Sequence, residues 1–260
     1  MKTISFYLVL LSVTGFLFSG CSEPDSEDSD LILIGHRGLS ISHPENSEEA
    51  ITALIESGCR YLETDITFSG DDSVMLFHDY ETDRLTPFSG STISFPVSEL
   101  REGFRSKMGG TLLTFSQFAS RYGNQFDEIY LDLKSGQGDA IFKVIRQTLN
   151  IAKTAGITQK LIFTCPYTAE LDSVIKISPG MKTAIDNGPE GVSIAIKKKY
   201  PMVLIEQSDL NQYLYSLASE SGIKIIGYTI NSLPEMQNAI ELGVNGVMTD
   251  NPSLFRDAGY

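Results

Sequence analysis

The sequence predicts an α/β protein, a (β/α)8 TIM barrel with a small insertion after the second strand, and three observations predict it. From Leu31 onward short apolar runs alternate with longer amphipathic ones, the strand–helix–strand rhythm of a parallel sheet wrapped by helices. Nine runs read as strands, yet only residues 69–73 separate the second from the third. Parallel neighbours need a crossover of about a dozen residues, so that pair is an antiparallel hairpin and eight parallel strands remain. Eight strands close a barrel, and residues 31–260 are long enough for one. An open doubly wound sheet is the competing architecture, but no Gly-x-Gly-x-x-Gly fingerprint follows the first strand.

Residues 1–20 contain one charge, Lys2, ahead of an apolar run at 4–18. That run is shorter than the ~20 residues that cross a bilayer; a basic start, apolar middle and small-residue exit describe a secretory signal. The exit Phe18-Ser19-Gly20-Cys21 resembles a bacterial lipobox, with Phe18 where Leu is usual and Cys21 as the lipidated first residue of the mature chain. Ordinary cleavage near Gly20 is the alternative. Ser22, rather than Asp, after Cys21 points to the outer membrane in lipoprotein sorting. Residues 21–30 then form a tether whose five acids, unrelieved by any base, keep it solvated. The expected setting is the cell envelope of a Gram-negative-type bacterium, lipid-anchored through Cys21 at the periplasmic face or the cell surface.

The barrel domain follows at 31–260. Strands are expected at 31–34, 61–68, 74–77, 129–133, 161–164, 182–185, 202–205, 224–230 and 246–248, each a short run rich in apolar residues. Helices are expected at 47–57, 115–122, 139–155, 169–176, 209–221 and 234–242. Ser47 suits a helix start and Pro234 a first turn, while Gly222 and Gly243 suit helix exits. The insertion spans about 69–113, mostly an irregular stretch rich in Gly, Ser and Thr; its Phe88, Phe95, Phe104 and Met108 are expected to cover the barrel mouth and shape a pocket.

Composition narrows the function classes. Hydrophobic residues make up 42% and charged residues 20%, which supports a real core. The 33 acids against 20 bases leave a formal charge of -13, so a nucleic-acid partner bound through a basic surface is excluded. Three cysteines rule out a disulfide framework.

Function in such a barrel collects at the carboxyl ends of the strands. The first strand ends in Ile34-Gly35-His36-Arg37-Gly38, which puts an imidazole and a guanidinium on that rim. On the second strand, Glu63 and Asp65 are two residues apart and share the inward face, whereas Thr64 faces the helices. Asp132 and Lys134 share the inward face at the end of the fourth run, with Leu131 and Leu133 on the other side. Three converging carboxylates suit one hard divalent cation, Ca2+ or Mg2+, and no Cys/His set with zinc spacing accompanies them. The hairpin returns His78 towards the same rim. Two imidazoles beside a metal suggest acid–base chemistry, and Arg37 with Lys134 would fit the oxygens of a phosphate.

These residues sit in an ordered series. His36-Arg37-Gly38, Pro44-Glu45-Asn46-Ser47, Glu63-Thr64-Asp65, His78-Asp79 with Arg84-Leu85-Thr86, Leu131-Asp132-Leu133-Lys134, Tyr228-Thr229-Ile230-Asn231 and Gly246-Val247-Met248-Thr249-Asp250-Asn251-Pro252 together resemble the glycerophosphodiester phosphodiesterase signature. The resemblance implies a TIM barrel that hydrolyses glycerophosphodiesters to sn-glycerol 3-phosphate and an alcohol. It implies Glu63, Asp65 and Asp132 as metal ligands, His36 and His78 as the acid–base pair, Arg37 and Lys134 as phosphate-binding residues, and Tyr228 as an aromatic substrate wall. In that family's usual mechanism the glycerol 2-hydroxyl attacks phosphorus and water opens the resulting cyclic phosphate. Asp132 stands where the family usually has Glu, one methylene longer; Tyr228 replaces a usual Trp and Ser47 a usual Thr.

Other residues receive plainer expectations. Glu45 and Asn46 are expected to brace His36 by hydrogen bonds. His43 is expected to be structural or solvent-facing, Cys59 and Cys165 to be small core residues, and Lys197-Lys198-Lys199 to be a solvated run. The competing functions are a phosphodiesterase of the same superfamily acting on intact phospholipid, and a lipoprotein that binds a phosphorylated ligand without turnover.

Overall fold

The computed structural model describes residues 31–134 and 140–260. The signal sequence, the tether and Cys21 lie outside the described residues. Eight parallel strands close on themselves: β1 (Ile32–His36), β2 (Tyr61–Phe68), β4 (Glu128–Leu133), β5 (Leu161–Cys165), β6 (Lys182–Asp186), β7 (Met202–Glu206), β8 (Lys224–Tyr228) and β9 (Gly246–Thr249). Closure is made by β1, which pairs in parallel with both β2 and β9. The remaining strand, β3 (Val74–Leu76), runs antiparallel to β2 with Phe68 opposite Val74, so the short connection does make a hairpin.

Alternation along the strands builds two cores. Inward residues such as Ile34, Tyr130, Ile162, Met202 and Ile226 pack together inside the barrel and form an apolar floor below the strand ends. Outward residues such as Leu62, Ile66, Leu131, Phe163 and Val203 meet the surrounding helices. Glu63 and Asp65 are inward, and Thr64 lies on the opposite face with Leu62 and Ile66, as the two-residue period requires.

The helices α1 (Glu48–Glu56), α3 (Phe115–Arg121), α4 (Ala140–Ala155), α5 (Thr168–Ile177), α7 (Gln212–Glu220) and α8 (Leu233–Leu242) fall within a few residues of expectation. The Ser47 hydroxyl accepts from the Ala50 N–H at the start of α1, and Ser232 with Glu235 forms a reciprocal cap on α8, where Pro234 sits in the first turn. Three further helices were not expected. They are α2 (Val97–Met108), inside the insertion, α6 (Glu190–Lys198) and α9 (Pro252–Asp257). Gly191, which reads as a helix breaker, lets α6 lie close to the sheet: a Cβ there would stand 2.7 Å from Val203 Cγ2. Strand β8 ends at Tyr228, and Ile230 packs into the outer core instead of extending the ladder.

The insertion differs from expectation in its interior. It has a small core of its own, in which Met75, Phe77, Leu85, Leu100, Phe104 and Leu112 are buried together. Phe88 stacks on Phe95 with ring centroids 5.3 Å apart. Burying these rings against one another stabilises the insertion more than exposing them at a polar rim would, so they do not shape the cavity at the strand ends. Among the described residues, no helix is long and apolar enough to cross a membrane.

Candidate active site

At the end of β1 the chain leaves the strand abruptly. Arg37 takes a left-handed conformation (φ 56°), and its N–H donates to the Glu63 carbonyl at 2.9 Å and reaches Glu63 Oε2 at 3.0 Å. Gly38 follows at φ 88°, where a Cβ would come within 2.8 Å of the Ala50 backbone. This turn folds α1 against the barrel and leaves His36 directed into its mouth. Non-glycine residues held at positive φ carry a local strain that the surrounding contacts must offset.

His36 Nδ1 lies 2.7 Å from Asp250 Oδ1, so the imidazole donates from Nδ1 and presents Nε2, 3.9 Å from Glu63 Oε2. Asp250 is itself held by the Ser40 hydroxyl (2.9 Å) and the Asn231 side-chain amide (2.7 Å). Burial opposes its charge, but these donors hold its carboxyl down at about 2. Burial also opposes protonation of His36, and the Asp250 and Glu63 carboxylates outweigh it to raise the imidazole above its ordinary value.

The acids converge as the register demands: Asp65 pairs with Asp132 across β2 and β4. Glu63, Asp65 and Asp132 each place an oxygen within 4.8 Å of the others. Asn46, also at positive φ (57°), donates to Asp65 Oδ2 at 2.7 Å, while its own oxygen accepts from the Thr64 hydroxyl and the Asp65 N–H. Lys134 Nζ stands 2.8 Å from Asp65 Oδ1 and 2.5 Å from Asp132 Oδ2, and Arg37 Nε stands 3.3 Å from Asp65 Oδ2.

Charge is unevenly shared among the three. Burial alone would raise Asp65, but Lys134 and Arg37 hold its carboxyl well below the usual range. Burial and the Asp65 charge push Glu63 well above that range, and the same two causes raise Asp132 despite Lys134. Asp132 Oδ1 is buried without a hydrogen-bond partner among the described residues. Three convergent carboxylates, two of them raised by burial and by the Asp65 charge and one with an orphaned oxygen, fit a hard divalent cation.

Beyond β3, His78 Nδ1 lies 2.5 Å from Asp79 Oδ1. Asp79 accepts from Arg84, which forks onto Glu45 at 2.8 and 2.7 Å, and Glu45 in turn accepts from Arg37 at 3.1 Å. A chain of alternating charges therefore joins the His78 side of the site to Arg37. Contrary to expectation, Glu45 and Asn46 do not brace His36; Glu45 holds the two arginines and Asn46 holds Asp65. The left-handed turns at Arg37 and Asn46 direct the loop across the mouth towards β2.

A cavity of about 180 Å3 at the strand ends is lined by His36, Arg37, Glu63, Asp65, His78, Asp132, Lys134 and Tyr228, so the structure brings together every expected site residue among those described. Thr164, Asp186, Leu204 and Met248 complete its wall. Asp186 and Asp250 were missed, although the two-residue period carried on from Ala184 and Met248 would have marked both as inward. His43 bonds to Ser42 and does not line the cavity. Cys59 and Cys165 are buried, and Lys197, Lys198 and Lys199 are exposed.

The sequence profile of the Glycerophosphoryl diester phosphodiesterase family matches residues 36–254. The chain is 24% identical over 236 residues to a glycerophosphodiester phosphodiesterase of Caldanaerobacter subterraneus subsp. tengcongensis, which covers 85% of this chain and 94% of that protein. Its fold matches an Oleispira antarctica phosphodiesterase solved in complex with the product sn-glycerol-3-phosphate, with a TM-score of 0.76 and 22% identity over 87% of this chain and 95% of the other. A glycerophosphodiester phosphodiesterase from Thermotoga maritima matches with a TM-score of 0.71 and 24% identity, covering 88% and 98% of the two chains.

Proposed function

Since this chain belongs to the glycerophosphoryl diester phosphodiesterase family and is thus a phosphoric diester hydrolase, we propose that it converts glycerophosphodiesters to sn-glycerol 3-phosphate and an alcohol by metal-dependent histidine acid–base catalysis. The observation that carries this reading is the meeting, in one cavity, of three carboxylates, two imidazoles and two fixed cations. Glu63, Asp65 and Asp132 would hold a divalent ion, Ca2+ or Mg2+. When bound, that ion supplies Lewis-acid charge to a phosphate oxygen and a template for the glycerol hydroxyls.

The chain's own residues supply the remainder. Arg37 and Lys134, both already set against Asp65, face the phosphate oxygens and stabilise charge that grows as phosphorus is attacked. His36, oriented by Asp250, takes the proton of the glycerol 2-hydroxyl as its oxygen bonds to phosphorus. His78, oriented by Asp79, gives a proton to the alcohol oxygen as its bond to phosphorus breaks. Water then opens the cyclic phosphate with the two roles exchanged, and both imidazoles return to their starting states.

Release of glycerol 3-phosphate from a panel of glycerophosphodiesters, with and without chelator, tests the proposal. Turnover that chelator abolishes and Ca2+ or Mg2+ restores is the expected result. Absence of release from every member with either ion present would sink it. We further propose that Cys21 carries a lipid that anchors the enzyme in the cell envelope; Cys21→Ser protein that still partitions with membranes would count against the anchor.

A further inference from the structure

The proposed chemistry leaves one wall of the cavity without a task. Glu63 and Asp65 come from β2 and Asp132 from β4, whereas Asp186, Leu204 and Tyr228 come from β6, β7 and β8. In a closed ring ordered β1, β2, β4, β5, β6, β7, β8, β9, that second arc lies across the mouth from β2. Asp186 Oδ1 accepts from the Tyr228 hydroxyl at 2.7 Å. Glu206 pairs in register with Tyr228 and stands exposed at the rim. The two cations of the cavity, Arg37 and Lys134, are both engaged with Asp65 on the opposite side.

Asp186 is therefore a half-buried carboxylate whose hydrogen-bond partner is a neutral phenol. Burial, with the nearby Asp132 and Glu206 charges, pushes its carboxyl up to about 6 against the pull of Tyr228 and Lys134. Thr164 provides an independent sign of a missing ligand. It lies on β5 between the two walls, is 1% exposed, lines the cavity, and its hydroxyl has no hydrogen-bond partner among the described residues.

A phosphodiester has two arms. If the glycerol arm is held on the β2 and β4 side, the other alcohol extends towards the β6–β8 arc. An alcohol bearing an ammonium would meet a carboxylate and an aromatic ring there, two groups that attract a cation. A neutral polyol would gain hydrogen bonds only, and an anionic alcohol would be repelled by Asp186 and Glu206. We propose that Asp186, held in place by Tyr228, recognises the ammonium of the leaving alcohol and makes glycerophosphodiesters of amino alcohols the preferred substrates. The inference rests on the activity proposed above.

Two probes separate the two readings: glycerophosphoethanolamine, with an ammonium arm, and glycerophosphoglycerol, with a neutral one. Wild-type protein should favour the first in kcat/KM, and Asp186→Asn should lower that ratio by about tenfold, mainly through KM. Equal loss on both substrates would assign Asp186 to the glycerol arm or to the fold, and an unchanged ratio would make it a bystander; either result overturns the proposal. Calorimetric binding of the same two diesters to His78→Ala protein decides the matter without turnover. Tighter binding of the ammonium diester supports the role of this wall, and equal affinities overturn it. If wild-type protein releases no glycerol 3-phosphate while that binding preference stands, the catalytic reading has failed and the recognition site has not.

Discussion

Asp250 reaches His36 across 214 positions of sequence, and its geometry gives a prediction at the residue scale. An Asp250→Asn amide can still sit beside Nδ1, but it stabilises neither the required tautomer nor the imidazolium, so kcat should fall by about 10²-fold or more while the fold persists. The same carboxyl predicts a change in acid stability. Its folded value of about 2 lies below the unfolded value of roughly 3.9, so its contribution is present above the unfolded value and fades as pH falls through the folded one. Urea unfolding should find Asp250→Asn less stable than wild type by about 1 kcal/mol near pH 6, after allowance for partial exposure, with the gap closing towards pH 2. Glu63, Asp65, Asp132 and Lys134 were readable because alternation along a strand fixes a face. Glu45 and Asn46 are expected to brace His36, but two positive-φ turns carry them to Arg37 and Asp65 instead.

At the element scale, strands were more legible than helices. Each barrel strand is a short apolar run whose existence barely depends on its neighbours. The three unexpected helices have weaker local signals: α2 buries only Leu100, Gly103 and Phe104, and α6 carries Gly191 in its first turn. Tertiary packing overrides a poor propensity there. The contact predicts that Gly191→Ala, which would ordinarily favour a helix, destabilises the protein by about 1–3 kcal/mol, because the added methyl meets Val203. Adding Val203→Ala should recover part of that loss in denaturant unfolding, a favourable coupling between touching residues. An additive double variant would show that the contact does not govern the position.

At the scale of the whole molecule, closing the sheet gathers like charges that the chain has nowhere else to disperse. A cation held by the triad, as proposed, would stabilise the fold by mass action, by about 2.7 kcal/mol at a hundredfold excess over Kd. Thermal unfolding should therefore shift upward by roughly 5–10 °C with saturating Ca2+ or Mg2+, and Asp132→Asn should lose most of the shift. An equal rise in the variant would place the ion elsewhere. The barrel, its hairpin exception and the inward set of carboxylates are legible in the chain alone, because strand period and connection length are local quantities. The partners emerge in three dimensions: which loop residue neutralises which charge, that the insertion's aromatic rings pack on one another, and that Asp186 faces a cavity residues of β2 and β4 also line. Those outcomes depend on closure, which brings the ends of eight strands within reach of one another and which no local pattern encodes.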